Sequence, residues 1–169
     1  LDDGANGGTA SDGLPDGYTT GTISASNLSP YSGGGDITVR GSASSGAGLA
    51  WSGSTTIRSG NGRVVIRGES SDSHGIDLNG VNSSGVISIV SSSNDASNPA
   101  IDIEGRTTST TAATWGLGLF SAAGGAIQAT GTAGIRLLGQ TASGNFDYYS
   151  IGVDLLATSG AITVTADGS

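Results

Sequence analysis

Few side chains in this 169-residue chain are equipped for chemistry. The single His, His74, has no Cys to accompany it and no Ser-Asp arrangement around it that would activate a nucleophile. It is therefore expected as a surface residue beside a turn at Gly75, not as part of a triad. Asp77 and Asp102 occupy the same place in two similar strings, Gly75-Ile-Asp-Leu-Asn-Gly80 and Ala100-Ile-Asp-Ile-Glu-Gly105, 25 residues apart. If those strings sit in adjacent coils, the two carboxylates stand one strand spacing apart, where like charges repel unless a cation or an Arg intervenes. The pair suits an acid/base couple, a metal site, or two solvated side chains.

Aromatic rings are sparse, and the densest group is Phe146-Asp-Tyr-Tyr149. Phe146, Tyr148 and Tyr149 are candidate ligand-binding residues because rings on a loop or an outer strand stack on sugars. The alternative is that they pack against a corner. Asp-Gly pairs at 3–4, 12–13 and 16–17 bring calcium to mind, but neither the EF-hand spacing nor a Gly-Gly-x-Gly-x-Asp repeat is present. No cofactor other than calcium has any support. Thr-x-Thr pairs at 108–110, 130–132 and 163–165 do not recur at one position, so no ice-binding row forms.

The elements that would position these groups follow from composition. Gly (31), Ser (27), Ala (19) and Thr (18) make up more than half of the chain; Glu occurs twice and Lys never. The residues that surface helices use are missing. Such a chain would read as a flexible linker, except that 35% of it is hydrophobic and its Ile, Val and Leu alternate in short runs. A net charge of -8 and pI near 4.1 argue against nucleic acid and anionic membranes as partners. The least polar stretch, residues 115–127, is too short and too interrupted to span a bilayer as a helix. Lack of Cys points mildly to export through an oxidising space. A start at Leu1 without a signal-like segment leads us to expect a processed product or an excerpt.

Eleven units between residues 35 and 165 share one form: a small residue, alternating apolar positions, then Gly or Ser. Gly35-Asp-Ile-Thr-Val-Arg-Gly41, Gly62-Arg-Val-Val-Ile-Arg-Gly68 and Gly134-Ile-Arg-Leu-Leu-Gly139 are examples. Their spacing returns at about 25–27 residues, with nine- and 18-residue intervals superposed, which a sandwich has no reason to produce and a solenoid requires. The expected fold is all-β, a parallel β-helix (β-solenoid). Its dry face would carry Ile37, Val39, Val65, Ile76, Leu78, Ile101, Ile103, Ile127, Ile135, Leu137, Val153, Leu155, Ile162 and Val164. Residues 1–33 are expected to be an irregular Asp/Gly-rich segment or a first coil, and residues 34–169 the solenoid coils.

Strings such as Gly35-Asp-Ile-Thr-Val, Gly75-Ile-Asp-Leu-Asn-Gly80 and Ser159-Gly-Ala-Ile-Thr-Val-Thr-Ala166 resemble the repeat segments of filamentous-haemagglutinin-type exoproteins and large autotransporter adhesins of Gram-negative bacteria. The resemblance covers residues 35–166 in style. It implies a right-handed β-helical stalk, secreted and displayed on the bacterial cell surface, working in adhesion or as a rigid spacer. The family's secretion domain carries Asn-Pro-Asn-Gly or Asn-Pro-Asn-Leu; here Asn98-Pro99 is followed by Ala100, so a piece of the repeat region is expected.

With no Lys and no long inserted loop to wall a cleft, the chain is not expected to be an enzyme. The expected function is a non-catalytic structural or adhesive segment of a surface fibre, with a carbohydrate-binding or carbohydrate-processing β-helix as the alternative. Expected partners are further coils of the same polypeptide or end-to-end copies, and surface glycans or host receptors, without membrane insertion. The end-to-end expectation rests on the abrupt stop after Ile162-Thr-Val-Thr165, which leaves a strand edge to be covered.

Overall fold

A computed structural model of the chain describes residues 17–20, 23–26, 34–78, 85–111, 113–142, 146–157 and 159–166. They contain thirteen strands and no helix: β1 (Gly17–Thr20), β2 (Ile23–Ser26), β3 (Ile37–Ala43), β4 (Leu49–Ser52), β5 (Thr55–Arg58), β6 (Val64–Ser70), β7 (Ile76–Leu78), β8 (Ile87–Ser91), β9 (Ile101–Thr107), β10 (Trp115–Ala129), β11 (Ile135–Gln140), β12 (Phe146–Ala157) and β13 (Ile162–Ala166). Every pairing among them is parallel. One sheet has the order β1-β3-β6-β9-β11-β13; the other runs β2-β4-β7-β10-β8-β5, with β12 added on β10. The all-β, parallel expectation holds, and two parallel sheets without a helix are consistent with a β-solenoid-like fold.

Alternation explains which side of each strand is dry. In the first sheet Ile37, Val64, Ile101 and Ile135 stand in register, as do Val39, Ile66, Ile103 and Leu137, and all eight are buried. Leu49, Ile76, Leu78, Leu117, Leu119, Ile87, Ile89 and Ile127 from the second sheet join them in one apolar cluster. Each such side chain contributes roughly 1.5–3 kcal/mol relative to exposure. The expected ladder is right except at three places. Val65 is on the outer side and Val64 and Ile66 are inside, because register with Ile37 and Val39 decides between two adjacent Val where alternation cannot. Ile162 and Val164 occupy ladder positions but are exposed. Val153 and Leu155 are partly buried against the core.

The Gly, Ser and Thr content has two local causes. Gly41, Gly68 and Gly105 share one register row. A Cβ there would lie 2.2, 2.4 and 2.0 Å from the carbonyl oxygens of Gly48, Gly75 and Gly116, where the chain turns towards β4, β7 and β10. At the corners, buried hydroxyls satisfy carbonyls that no strand pairs. Ser70 Oγ donates to Gly46 O (2.7 Å), Ser91 Oγ to Gly62 O (2.7 Å) and Ser109 Oγ to Asp72 O (2.9 Å).

Coil length departs from expectation. The first sheet returns from Ile37 to Val64 and from Ile135 to Ile162 after 27 residues, but from Val64 to Ile101 after 37 and from Ile101 to Ile135 after 34. The extra length in the first of these is shared between the β7–β8 and β8–β9 connections, and in the second it falls mostly before β10 and within it, where a bulge separates Phe120 from Gly125. Pairing also begins earlier than residue 34: β1 and β2 lie in register with β3 and β4. Phe146–Ala157 is a strand, one of the two forms expected of the aromatic group.

Candidate functional site

The outer side of the first sheet carries the chemistry. Its strands share one pattern, two alternating apolar residues around a polar one and then Gly, so the polar residues before and after that Gly fall into rows. One row reads Val65, Asp102, Arg136; the next Arg40, Arg67, Glu104; the third Glu69, Arg106. Opposite charges therefore meet in register at Arg67 and Glu104, at Glu69 and Arg106, and at Asp102 and Arg136. A two-residue slip of β9 against β6 would set Arg67 against Arg106 in one direction and Glu69 against Glu104 in the other. The charges thus help to select the register that the apolar face alone leaves open.

Two carboxylates are the hub. Arg67 Nη2 and Arg136 Nε reach Asp102 at 2.5 and 2.7 Å, while Arg67 Nε and Arg136 Nη2 reach Glu104 at 3.2 and 3.1 Å. Arg106 pairs with Glu104 as well, and Arg63 stands 3.9 Å from Asp102. Arg67 Nη1 also donates to Asp102 O (2.9 Å), fastening side chain to neighbouring strand. Asp102 is only 5% exposed. Burial alone would push its carboxyl up, but hydrogen bonds from Arg136 and Arg67 and their charge outweigh that and hold it below the ordinary carboxylate value. The same contact with Asp102 raises the Arg136 guanidinium, against a smaller opposing effect of burial.

This geometry corrects the expected metal site. Asp77 lies on β7 in the second sheet, in register with Ala50 and Gly118, whereas Asp102 lies on β9 in the first. The two are not cross-strand neighbours, because the 25-residue interval that relates their strings leads from one sheet to the other. Asp102 already has its cations, from Arg. No group of three or more His, Cys, Asp or Glu that could hold a metal ion exists among the described residues. The Asp-Gly pairs at 3–4 and 12–13, and Asp16, lie outside those residues.

His74 is also not the free surface residue expected. Its ring stacks on Trp115, centroids 3.6 Å apart at 12°, and Phe120 meets Trp115 edge-on at 5.3 Å. Nδ1 accepts the Trp115 backbone N–H (3.2 Å) while the His74 carbonyl accepts from Gly48 (3.0 Å), so one residue ties three successive passes of the chain. Desolvation lowers its pKa. On the next strand Phe146 is the register partner of Trp115, Tyr148 of Leu117 and Tyr149 of Gly118. Strand β12 thus places the three ring-bearing candidates on one sheet with the His74–Trp115 corner.

The Arg residues read as scattered along the sequence, yet four of the six converge on Asp102 and Glu104. The signal that finds them is the strand pattern laid in register: Arg40-Gly-Ser42, Arg67-Gly-Glu69 and Glu104-Gly-Arg106 show a charge reversal between the second and third. No family model, curated protein or solved structure matches this chain.

Proposed function

We infer that the chain is a non-catalytic structural and adhesive segment of a secreted bacterial surface fibre or adhesin stalk, its strands closing as a right-handed β-solenoid that extends along its axis. One observation carries the axial reading. Ile162 and Val164 continue, in register, the ladders that are buried at Ile135 and Leu137, yet they are 42% and 43% exposed. An apolar ladder position in water, on a strand with one pairing partner among the described residues, is what a further strand of the same kind covers. Asp102 and Glu104, the two carboxylates held close together on the outer face, are paired with Arg, which supports the non-catalytic reading.

Sedimentation velocity with electron microscopy tests it. The chain is expected to form axial oligomers whose size grows with concentration, and the Ile162→Thr/Val164→Thr double variant to sediment as a monomer. A parent chain that stays monomeric at high concentration contradicts the axial reading.

A further inference from the structure

We propose that the long corner between β8 and β9 is a recognition loop that holds a neutral sugar ring; this rests on the adhesive part of the reading above and gives it a ligand. Residues 92–100 connect those strands, nine residues where the same corner is made by 59–63 between β5 and β6 and by 130–134 between β10 and β11. Five residues therefore suffice for the turn, and the other four are not required by it. The longer corner is nevertheless fixed in shape. Asp95 Oδ1 accepts the Ser97 N–H (2.8 Å), Asp95 Oδ2 accepts from Asn98 Nδ2 (2.7 Å), and Asn94 Oδ1 accepts the Thr132 N–H of the next pass (3.0 Å). A shaped insertion on a regular scaffold is where binding residues concentrate.

The loop walls an open depression of about 360 Å³ against the starts of β11 and β13, at the small end of the roughly 300–1,000 Å³ of small-molecule sites. Its lining sets the ligand's chemistry. Pro99, Ala133 and Ala161 offer apolar surface to the C–H face of a ring, while Asp95, Asn98 and Thr163 offer acceptors and donors to its hydroxyls. Each Asp95 oxygen, already fixed by one donor, has room for a second. Asn98 gives one Nδ2 hydrogen to Asp95 and keeps a second donor and its Oδ1 acceptor. A carboxylate and an amide that hold each other in place match two adjacent hydroxyls of a pyranose. Charge selects a neutral ligand. Arg136 is the one basic residue of the lining, and its Nε and Nη2 are given to Asp102 and Glu104, so it offers little to an anion that Asp95 repels, while its charge opposes a bound cation.

Saturation-transfer NMR with the whole chain tests this. The probes are the methyl glycosides of galactose, glucose, mannose and N-acetylglucosamine, with galacturonate as the charged analogue and glycerol as a hydroxyl control without a ring. At least one neutral glycoside is expected to bind at millimolar concentration and glycerol not to, and galacturonate to bind no more tightly than methyl galactoside. Asn98→Ala is expected to raise the dissociation constant of the bound glycoside about threefold to tenfold, the scale of one neutral hydrogen bond. Deleting residues 95–98 leaves a five-residue corner, and that variant is expected to fold, by circular dichroism and thermal melting, and to lose binding. Asp72→Asn, at another corner, is expected to change nothing. The proposal is overturned if no neutral glycoside binds, if galacturonate binds more tightly than the galactoside, if Asn98→Ala and Asp72→Asn act alike, or if the shortened chain folds and still binds. A shortened chain that does not fold contradicts the claim that the turn can do without those residues. Sedimentation of the same samples separates this site from axial assembly, since a chain that forms oligomers but binds no glycoside loses the site and keeps the axial reading.

Discussion

Strands β9 and β13 are built alike, Ile101-Asp-Ile103 and Ile162-Thr-Val164, and occupy the same rows of the same sheet. Ile101 and Ile103 are fully buried; Ile162 and Val164 are little more than half covered. The residue types do not make the difference. The strand β9 has β6 on one side and β11 on the other, whereas among the described residues β13 has β11 alone. Burial in a stacked parallel sheet is conferred by the neighbouring strands, so each strand's stability is a property of the stack. The terminal strand is where a partner can still contribute.

The sharpest way to break this comparison is to place the same charge at both ends of it. Ile103→Asp puts an unpaired carboxylate into a dry ladder and is expected to cost about 4–5 kcal/mol or to prevent folding, by denaturant titration. Ile162→Asp is expected to cost the unassociated chain less than about 1 kcal/mol. Equal costs would mean that β13 is as enclosed as β9.

Next in size is the Gly row. Gly105→Ala sets a Cβ 2.0 Å from Gly116 O, backbone that cannot rotate away, and is expected to cost about 3 kcal/mol. A milder change tests the outer face: Asp102→Asn removes the charge that Arg67 and Arg136 share and is expected to cost about 1–3 kcal/mol. The sign with pH follows from the lowered carboxyl. The folded state holds Asp102 ionised more firmly than the unfolded state does, so its contribution is present above the unfolded value near 3.8 and is lost as pH falls through the lower folded one. Asp102→Asn is expected to flatten that acid limb of the stability profile.

The smallest effect is at His74. Its pKa is lowered from 6.5, so the unfolded chain takes up a proton first, and stability is expected to decline as pH falls from about 6.5 through the folded value. Protonation of Nδ1 also removes the acceptor for the Trp115 N–H. His74→Gln is expected to abolish this step, and thermal melts at pH 7 and pH 5 read it.

Much of the fold was legible because alternation and turn residues are local. The strands around Ile37, Ile76, Ile101 and Ile135 and the faces they bury follow from period-2 patterning with Gly at the ends. What was not legible depends on coil length. Longer connections between β7 and β8 and between β8 and β9 turn a 27-residue return into 37, and the 25-residue kinship of Asp77 and Asp102 then links two different sheets. Spacing constrains pairing only where connections are uniform. The Val64–Val65 ambiguity has the same origin, since two adjacent β-branched residues fit either face and only a neighbouring strand chooses. The Arg network went unread because, Arg106 with Glu104 apart, its members are 30–40 residues apart and meet only across strands.

Amide hydrogen exchange at β13, followed against protein concentration with β9 as the internal reference, tests the central claim most directly. If the exposed ladder at Ile162 and Val164 receives another strand, exchange at residues 162–166 slows as concentration rises while exchange at 101–107 stays slow throughout. Exchange at β13 that is independent of concentration, in a chain that sediments as a monomer, would contradict the claim that this edge is built to be covered.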